Sequence, residues 1–518
     1  MSIERIHNWV VVMFENRSFD NLLGYLPHID PSDGIVGREI LLPYPNGTVR
    51  VGPTGRFTDP IPDPGEAYPS VNVQLYGRYR PESNAGMPGY LGFPQHQSAP
   101  WNAPDPGQKP SMDGFALDFF HNCRWQTGRE LSDAEMQSIG GVYTPETAPV
   151  INTLAQQYAV FTHWHCDAPT DTFPNRSFFH AGTSKGRVDN NVTYDYAWDN
   201  NLPNLFDRMT EHALPWRCYF AKSQVVPFEA INLGGAHHRR MWAAHSAHLE
   251  QFFADAGDGT LPRYSWVEPC MLFGDLTDYH PPRDIRAGEQ FLAQIYHAVR
   301  NSPQWEQTAL VIMFDEHGGC YDHVPPPAAP SPDEIVHQEG FGFDRLGVRV
   351  PTVVVSAYTE AATVITDLHT NTSMTRTLRE SLGLGTAFTK RDAWAAPIDA
   401  AFNRSEPRQD IPPVNPLPYT PGIDNPGAQP IRPGDIPTAA MAVEQGRHLS
   451  AEYISELGEA TLRSAAVLLG LHPEDRPRGL TADQARHWLT AHFTRRGHLS
   501  VPRTTMSSPT PEMRWPWR

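Results

Sequence analysis

Residues 9–14, Trp-Val-Val-Val-Met-Phe, form a nearly unbroken apolar run rich in β-branched side chains. That is the pattern of a strand buried on both faces of a parallel sheet. The run at 309–314, Ala-Leu-Val-Ile-Met-Phe, repeats the design. Shorter strands are predicted over 159–162 and 351–356. Helical spacing recurs between them. Val150, Leu154 and Tyr158 lie four residues apart, and Phe291, Ile295 and Val299 make one apolar stripe over 287–300. Further helices are expected to begin at 177 and at 204. A helix feeding directly into the 309–314 strand gives β-α-β alternation, hence an α/β fold with a mostly parallel central sheet sandwiched by helices.

Elsewhere the patterning fades. Residues 27–112 are dense in Pro, Gly, Asn, Asp and Tyr, which predicts an irregular, turn-rich insertion near a site. Residues 404–437 are crowded with prolines and have almost no apolar periodicity, so they read as a linker or extended strap. Beyond them, 438–518 reads as a helical extension. It carries a stripe through Ile454, Leu457, Ala465 and Leu468 and a second helix through Trp488, Leu489 and Phe493. Residues 1–403 then form the main domain. The terminal pair of helices buries little by itself and is expected to dock on the main domain or on another subunit of a homo-oligomer.

Composition narrows the function. The 518 residues are 40% hydrophobic, with no apolar run long enough to span a membrane. A net charge of -17 argues against a general nucleic-acid or anionic-membrane surface. An enzyme acting on anions must then gather positive charge locally, from Arg17, Arg176, histidines or a metal. The five cysteines are scattered without paired spacing and read as reduced structural thiols. The chain enters its first strand with no signal segment, which leaves a cytoplasmic location or a non-classical export route open.

In open α/β sheets ligands gather beyond the carboxyl ends of the strands. Both apolar runs end there in acids: Glu-Asn-Arg-Ser-Phe-Asp at 15–20, and Asp-Glu-His-Gly-Gly-Cys-Tyr-Asp-His-Val at 315–324. Carboxylates in such places are costly unless they are paired or bind metal. A third segment, Thr-Phe-Pro-Asn-Arg at 172–176, places a hydroxyl, an amide and a guanidinium within five residues. A threonine hydroxyl is a weak nucleophile until a cation lowers its pKa, and an arginine fork suits phosphoryl oxygens. From residue type alone, Thr172 reads first as a turn residue or helix cap, and the acids can be ordinary strand-end caps or ion pairs.

These three blocks, with Gly-Val-Arg-Val-Pro at 347–351 leading to Ser356, resemble the bacterial phosphoesterase family that contains the non-specific phospholipases C and an acid phosphatase branch. The resemblance covers about residues 1–400 and implies the alkaline phosphatase superfamily fold. It implies that Glu15, Asn16, Asp315 and Glu316, with Thr172, surround one divalent cation. Oxygen donors favour Ca²⁺, Mg²⁺ or Mn²⁺, and the superfamily keeps Zn²⁺ open. Thr172 would form a phosphothreonine, Asn175 and Arg176 would bind the phosphoryl oxygens, and His280 or His323 would protonate the leaving group. His280 is favoured by its stiff setting between Tyr279 and Pro281. His96 and Asp113 resemble the pocket residues that the family draws from its insertion. Asn371 stands where relatives tend to have histidine. The function expected is a phospholipase C cleaving glycerophospholipids to diacylglycerol and a phosphorylated head group. The alternatives are an acid phosphatase acting on soluble monoesters and a non-catalytic scaffold.

Overall fold

The computed structural model describes residues 2–78, 102–127, 129–188, 190, 200–224, 226–235, 238–271, 275–336 and 340–420. An eight-stranded sheet organises them. Its strands are β1 (Asn8–Phe14), β2 (Ala159–Phe161), β3 (Trp216–Phe220), β4 (Ser246–His248), β5 (Tyr264–Val267), β6 (Thr308–Phe314), β7 (Thr352–Ser356) and β8 (Thr363–Ile365). The spatial order is β8-β2-β7-β6-β1-β5-β3-β4. All neighbours are parallel except those of β7, which runs antiparallel to β6 and β2. The two long apolar runs are therefore adjacent central strands, and every residue of both is buried.

Both faces are covered by helices: α1 (Phe19–Leu23), α2 (Tyr68–Tyr76), α3 (Phe115–Thr127), α4 (Pro149–Gln157), α5 (Thr172–Ala181), α6 (Ile285–Arg300) and α7 (Asn371–Ser381) lead among them. Parity along β1 assigns the faces. Phe14 meets Phe291 of α6. Trp266, in register with Val11, lies on the opposite face and meets Phe179 of α5. The sheet is thus the middle layer of a helix-sheet-helix sandwich, as the alternation of elements predicts.

Two expectations needed revision. The helix expected from residue 177 begins at Thr172 itself, because Pro174 falls in the first turn, where its missing N–H costs nothing. The insertion is not wholly irregular. It holds a hairpin of Leu41–Tyr44 with Gly47–Arg50, and the buried helix α2, entered through Pro69 and ended at Gly77 with φ 66°. The helix at 371–381 starts on Asn371.

Of the proline-rich stretch, residues 404–420 are described. They run without regular secondary structure along α6. Arg300 Nη2 donates to the carbonyls of Gln409 and Asp410, Tyr296 Oη to Pro412, and Arg286 Nη1 to Pro418. Backbone that cannot form a ladder is satisfied there by side chains of the helix. The helical extension expected at 438–518 lies outside the described residues.

Candidate active site

Register brings the two acidic blocks together. Phe14 pairs with Phe314 at the ends of parallel strands, so Glu15 and Asp315 leave the sheet side by side. Backbone links lock the turns: Arg17 N donates to Glu316 O at 3.1 Å and Glu15 N to Asp278 O at 2.9 Å. Asn16 sits at φ 61°, a conformation asparagine tolerates better than most side chains. Gly318, at φ 61°, lets the second turn press against it, since a Cβ there would stand 2.4 Å from the Asn16 carbonyl oxygen.

Helix α5 supplies the third component. Thr172, its first residue, is 4% exposed, and its hydroxyl enters none of the hydrogen bonds among the described residues. Arg176 lies one turn on, hence on the same face. Its Nε donates to Asp315 Oδ2 at 2.8 Å, and its other nitrogens stand 3.8 Å from Glu15 and 3.7 Å from Glu229. The Thr172 face of α5 is thereby held against both acidic blocks.

The site is strongly acidic. Burial, with Asp315 adding to it, pushes the Glu15 carboxyl well above the usual range against the pull of Arg176. Glu66 and Glu316 are pushed up well above it too, by burial first and then by neighbouring acids. Asp315 is raised by burial and partly restrained by Arg176. Two buried oxygens in this crowd, Asn16 Oδ1 and Glu316 Oε1, have no hydrogen-bond partner among the described residues. Asn16 Nδ2 is turned the other way, onto Glu66 Oε2. Unpaired acceptors buried among acids, with no donor aimed at them, are what a cation site demands. The oxygen donors present fit one divalent ion.

Other predicted residues are placed differently. Asn175 is used up inside the protein: its Oδ1 accepts from Ala168 N, and its Nδ2 donates to the carbonyls of Ala168, Thr170 and Asp171. It clamps the loop before Thr172 and has no atom left for a phosphoryl oxygen. Arg176 is likewise held by acids and fully buried, so its work is to orient Asp315 and Glu15. His323 belongs to another cluster. Its Nδ1 meets Asp20 at 2.6 Å and its Nε2 meets the Ser32 carbonyl at 2.8 Å, leaving neither nitrogen for a leaving group. Asp113 bonds Ser111 beside Gly77, at the far end of α2, without contact to the strand-end acids. His96 lies outside the described residues.

His280 is inside the site. Its Nε2 is 3.7 Å from Glu66 and its Nδ1 3.7 Å from Asp63, while Nδ1 also bonds the Pro281 carbonyl. Burial, with Arg283 nearby, pushes its pKa down to about 3. Asn371 also earns a place. Its Nδ2 donates to the Asp315 carbonyl at 2.9 Å and its Oδ1 accepts from Trp164 Nε1 at 2.8 Å, so it fixes the turn that carries the acids.

Sequence reasoning missed Asp63, Glu66, Gln74, Asp278 and His317. Asp63 and Glu66 stand in Pro-Asp-Pro-Gly-Glu at 62–66, which by residue type is a solvated turn, yet both are 5% exposed. Asp278 had a signal, its place two residues before His280.

A second acidic group draws notice: ligand atoms of Asp20, Asp322 and His323 lie within 4.8 Å of one another. Arg349 sits across it, with Nη2 3.0 Å from Asp20 and Nε 2.9 Å from Asp322. Its guanidinium already supplies the positive charge.

The fold and the site together place buried acids at two neighbouring strand ends and an alcohol at a helix start in an α/β sandwich. The profile of the Phosphoesterase family matches residues 6–385, and the chain belongs to that family. It is 35% identical over 425 residues to "Non-specific phospholipase C1" of Arabidopsis thaliana, covering 78% of this chain and 72% of that protein. It is 32% identical to "Non-specific phospholipase C3" of the same plant, covering 92% and 84%. "Phospholipase C A" of Mycobacterium tuberculosis is 27% identical, covering 60% and 65%. A solved protein of the alkaline phosphatase superfamily from Vibrio parahaemolyticus superposes with TM-score 0.29 at 12% identity, over 48% of this chain and 62% of that one. A superposition that loose carries no argument.

Proposed function

We propose that this phosphoric ester hydrolase is a phospholipase C that cleaves glycerophospholipids to diacylglycerol and a phosphorylated head group through a phosphothreonine at residue 172. The observation that carries the reading is the pair of unpartnered buried acceptors, Asn16 Oδ1 and Glu316 Oε1, at the strand ends faced by the Thr172 helix. The names of the plant and mycobacterial relatives supply the substrate class.

Glu15, Asn16, Asp315 and Glu316, with the Thr172 hydroxyl, would hold the ion. A divalent cation there lowers the pKa of an alcohol and neutralises phosphoryl oxygens. Thr172 Oγ1 attacks phosphorus in line, its bond to phosphorus forms as the bond to the glycerol oxygen breaks, and the hydroxyl proton passes to a neighbouring carboxylate. The helix start helps to hold the anion. The leaving oxygen takes a proton from the His280–Glu66 pair: Nδ1 of His280 donates to the Pro281 carbonyl, which turns Nε2 towards Glu66, whose carboxyl burial pushes well above its usual range. Water, giving a proton back to the His280–Glu66 pair, then displaces Thr172 from phosphorus, and the carboxylate that took the threonine proton returns it. Arg176 keeps Asp315 and Glu15 in place throughout.

No helix of the described residues is long and apolar enough to cross a membrane. The test is release of phosphocholine or phosphoethanolamine from mixed micelles. Thr172→Ala should lower it by ~10⁴-fold or more, as loss of a nucleophile does, while the protein stays folded. Turnover of a soluble phosphomonoester with no head-group release would make the protein a phosphatase instead, and no hydrolysis by metal-replete protein would make it a scaffold.

A further inference from the structure

A cavity of about 640 Å³ opens at the sheet edge opposite the acids, where β1, β3 and β5 begin. That volume is in the range of small-molecule sites. β1 is seven residues long, so at ~3.3 Å per residue this edge lies ~20 Å from Glu15. The cavity is therefore separate from the Thr172 site.

Its charge runs against that of the chain. The protein carries a net charge of -17, yet His7, Arg217, His245 and Arg263 line the cavity and no Asp or Glu does. Arg217 is partly engaged, since its Nη1 donates to Asp255 Oδ2 at 2.9 Å. Arg263 is not. Among the described residues its guanidinium has neither an ion pair nor a hydrogen bond, and its Nε is buried without an acceptor. The backbone beneath it is held in place, because Arg263 O accepts from Trp9 N at 3.0 Å. The buried arginines elsewhere behave otherwise: Arg176, Arg349 and Arg391 each face an aspartate at 2.8–3.0 Å. An unmatched buried donor on a charged group is costly, and nothing in the lining of this cavity offers Arg263 a counter-charge.

His245 lines the same space with a fixed ring. It stacks on Trp216, with 4.3 Å between centroids and 8° between planes. Its Nδ1 lies 2.9 Å from the Met241 carbonyl, which only accepts, so the proton sits on Nδ1. Nε2 is the nitrogen left without a partner among the described residues.

We propose that this cavity binds a small oxyanion, a phosphate or carboxylate group, on the guanidinium fork of Arg263. The planar donors of an arginine match two oxygens of such a group at once. The inference is independent of the phospholipase reading and needs no metal.

The experiment uses the full chain after chelator treatment, so that no metal holds an anion beside Thr172, with inorganic phosphate titrated by calorimetry at constant ionic strength. One saturable site is expected. It should weaken ~10- to 100-fold in Arg263→Gln, as loss of a hydrogen bond to a charged group does, and should be intermediate in Arg263→Lys, which keeps the charge without the fork. Arg240→Gln removes an exposed arginine from the helix that ends at His245 and should leave the affinity unchanged, which separates the fork from net charge. Should Arg263→Gln fail to fold, Arg263→Lys carries the test. Acetate titrated in parallel tells a carboxylate from a phosphate, and saturable, Arg263-dependent binding of either supports the site. Binding that persists unweakened in the Arg263 variants lies elsewhere and overturns the assignment. Absence of saturable binding of both anions also overturns it and leaves water as the partner of Arg263.

Discussion

Asn175 separates the two readings of the Thr172 segment. As a phosphate ligand, it would contribute to substrate binding and little to stability. As placed, it makes four contacts with the preceding loop, at 3.0 Å to Ala168 N and at 3.2, 2.9 and 3.1 Å to the carbonyls of Ala168, Thr170 and Asp171. Asn175→Ala removes them all inside a fully buried pocket. Ala168 O keeps another partner, Thr170 N at 2.8 Å. Ala168 N and Thr170 O lose theirs, at ~1–3 kcal/mol for each buried group left unmatched. A helix gain of a few tenths from alanine offsets little. The expected loss is about 2–6 kcal/mol, read from urea unfolding followed by tryptophan fluorescence. Because the clamped loop ends at Thr172, kcat should drop while KM for the lipid changes little. A loss under about 1 kcal/mol together with a tenfold rise in KM would refute the clamp and restore the phosphate contact.

The two candidate histidines should part company: His280→Asn should cut kcat by ~10²- to 10⁴-fold, the usual worth of a general acid or base, whereas His323→Asn should leave kcat within about threefold, checked by steady-state kinetics on micellar substrate. Glu289 accepts from Val150 N, Ile151 N and Tyr279 Oη, and burial pushes its carboxyl up to about 7. The folded state therefore keeps a proton that the unfolded chain gives up near its ordinary value. That stability is present at low pH and is lost as pH rises through about 7, so Glu289→Gln should gain on the wild type by about 3 kcal/mol between pH 4.5 and 8, measured by unfolding at a series of pH values. Arg349→Ala should cost about 3–5 kcal/mol, since it strands the buried carboxylates of Asp20 and Asp322; unfolding midpoints test it, and added divalent cation should not restore them.

The central strands and the acids at their ends were legible in the sequence because both signals are local. An apolar run shows its own burial, and the residue after it occupies the sheet edge whatever the rest of the chain does. The register of Phe14 with Phe314 then brings the two ends together. Thr172 was legible for the same reason, although its helix began earlier than expected. Asp63, Glu66 and Gln74 were not, because nothing local separates a buried turn acid from a solvated one. Their burial comes from docking of the insertion against the 315–319 turn. Polar residues in quoted motifs were also misassigned by type. Asn175 and Arg176 suit phosphate in isolation, and only their partners reveal that loop carbonyls and acids already claim them.

The adjacency of β1 with β5 and β6 also governs how the chain is made. β1 is synthesised well before its neighbours, which begin at Tyr264 and Thr308. At ~5–20 residues per second the strand waits on the order of 10–50 s for its first partner. An unpaired apolar strand invites association with other nascent chains until its partners arrive. The same delay has a chemical side: a chain cut off before residue 308 lacks Asp315 and Glu316, which the proposed site needs.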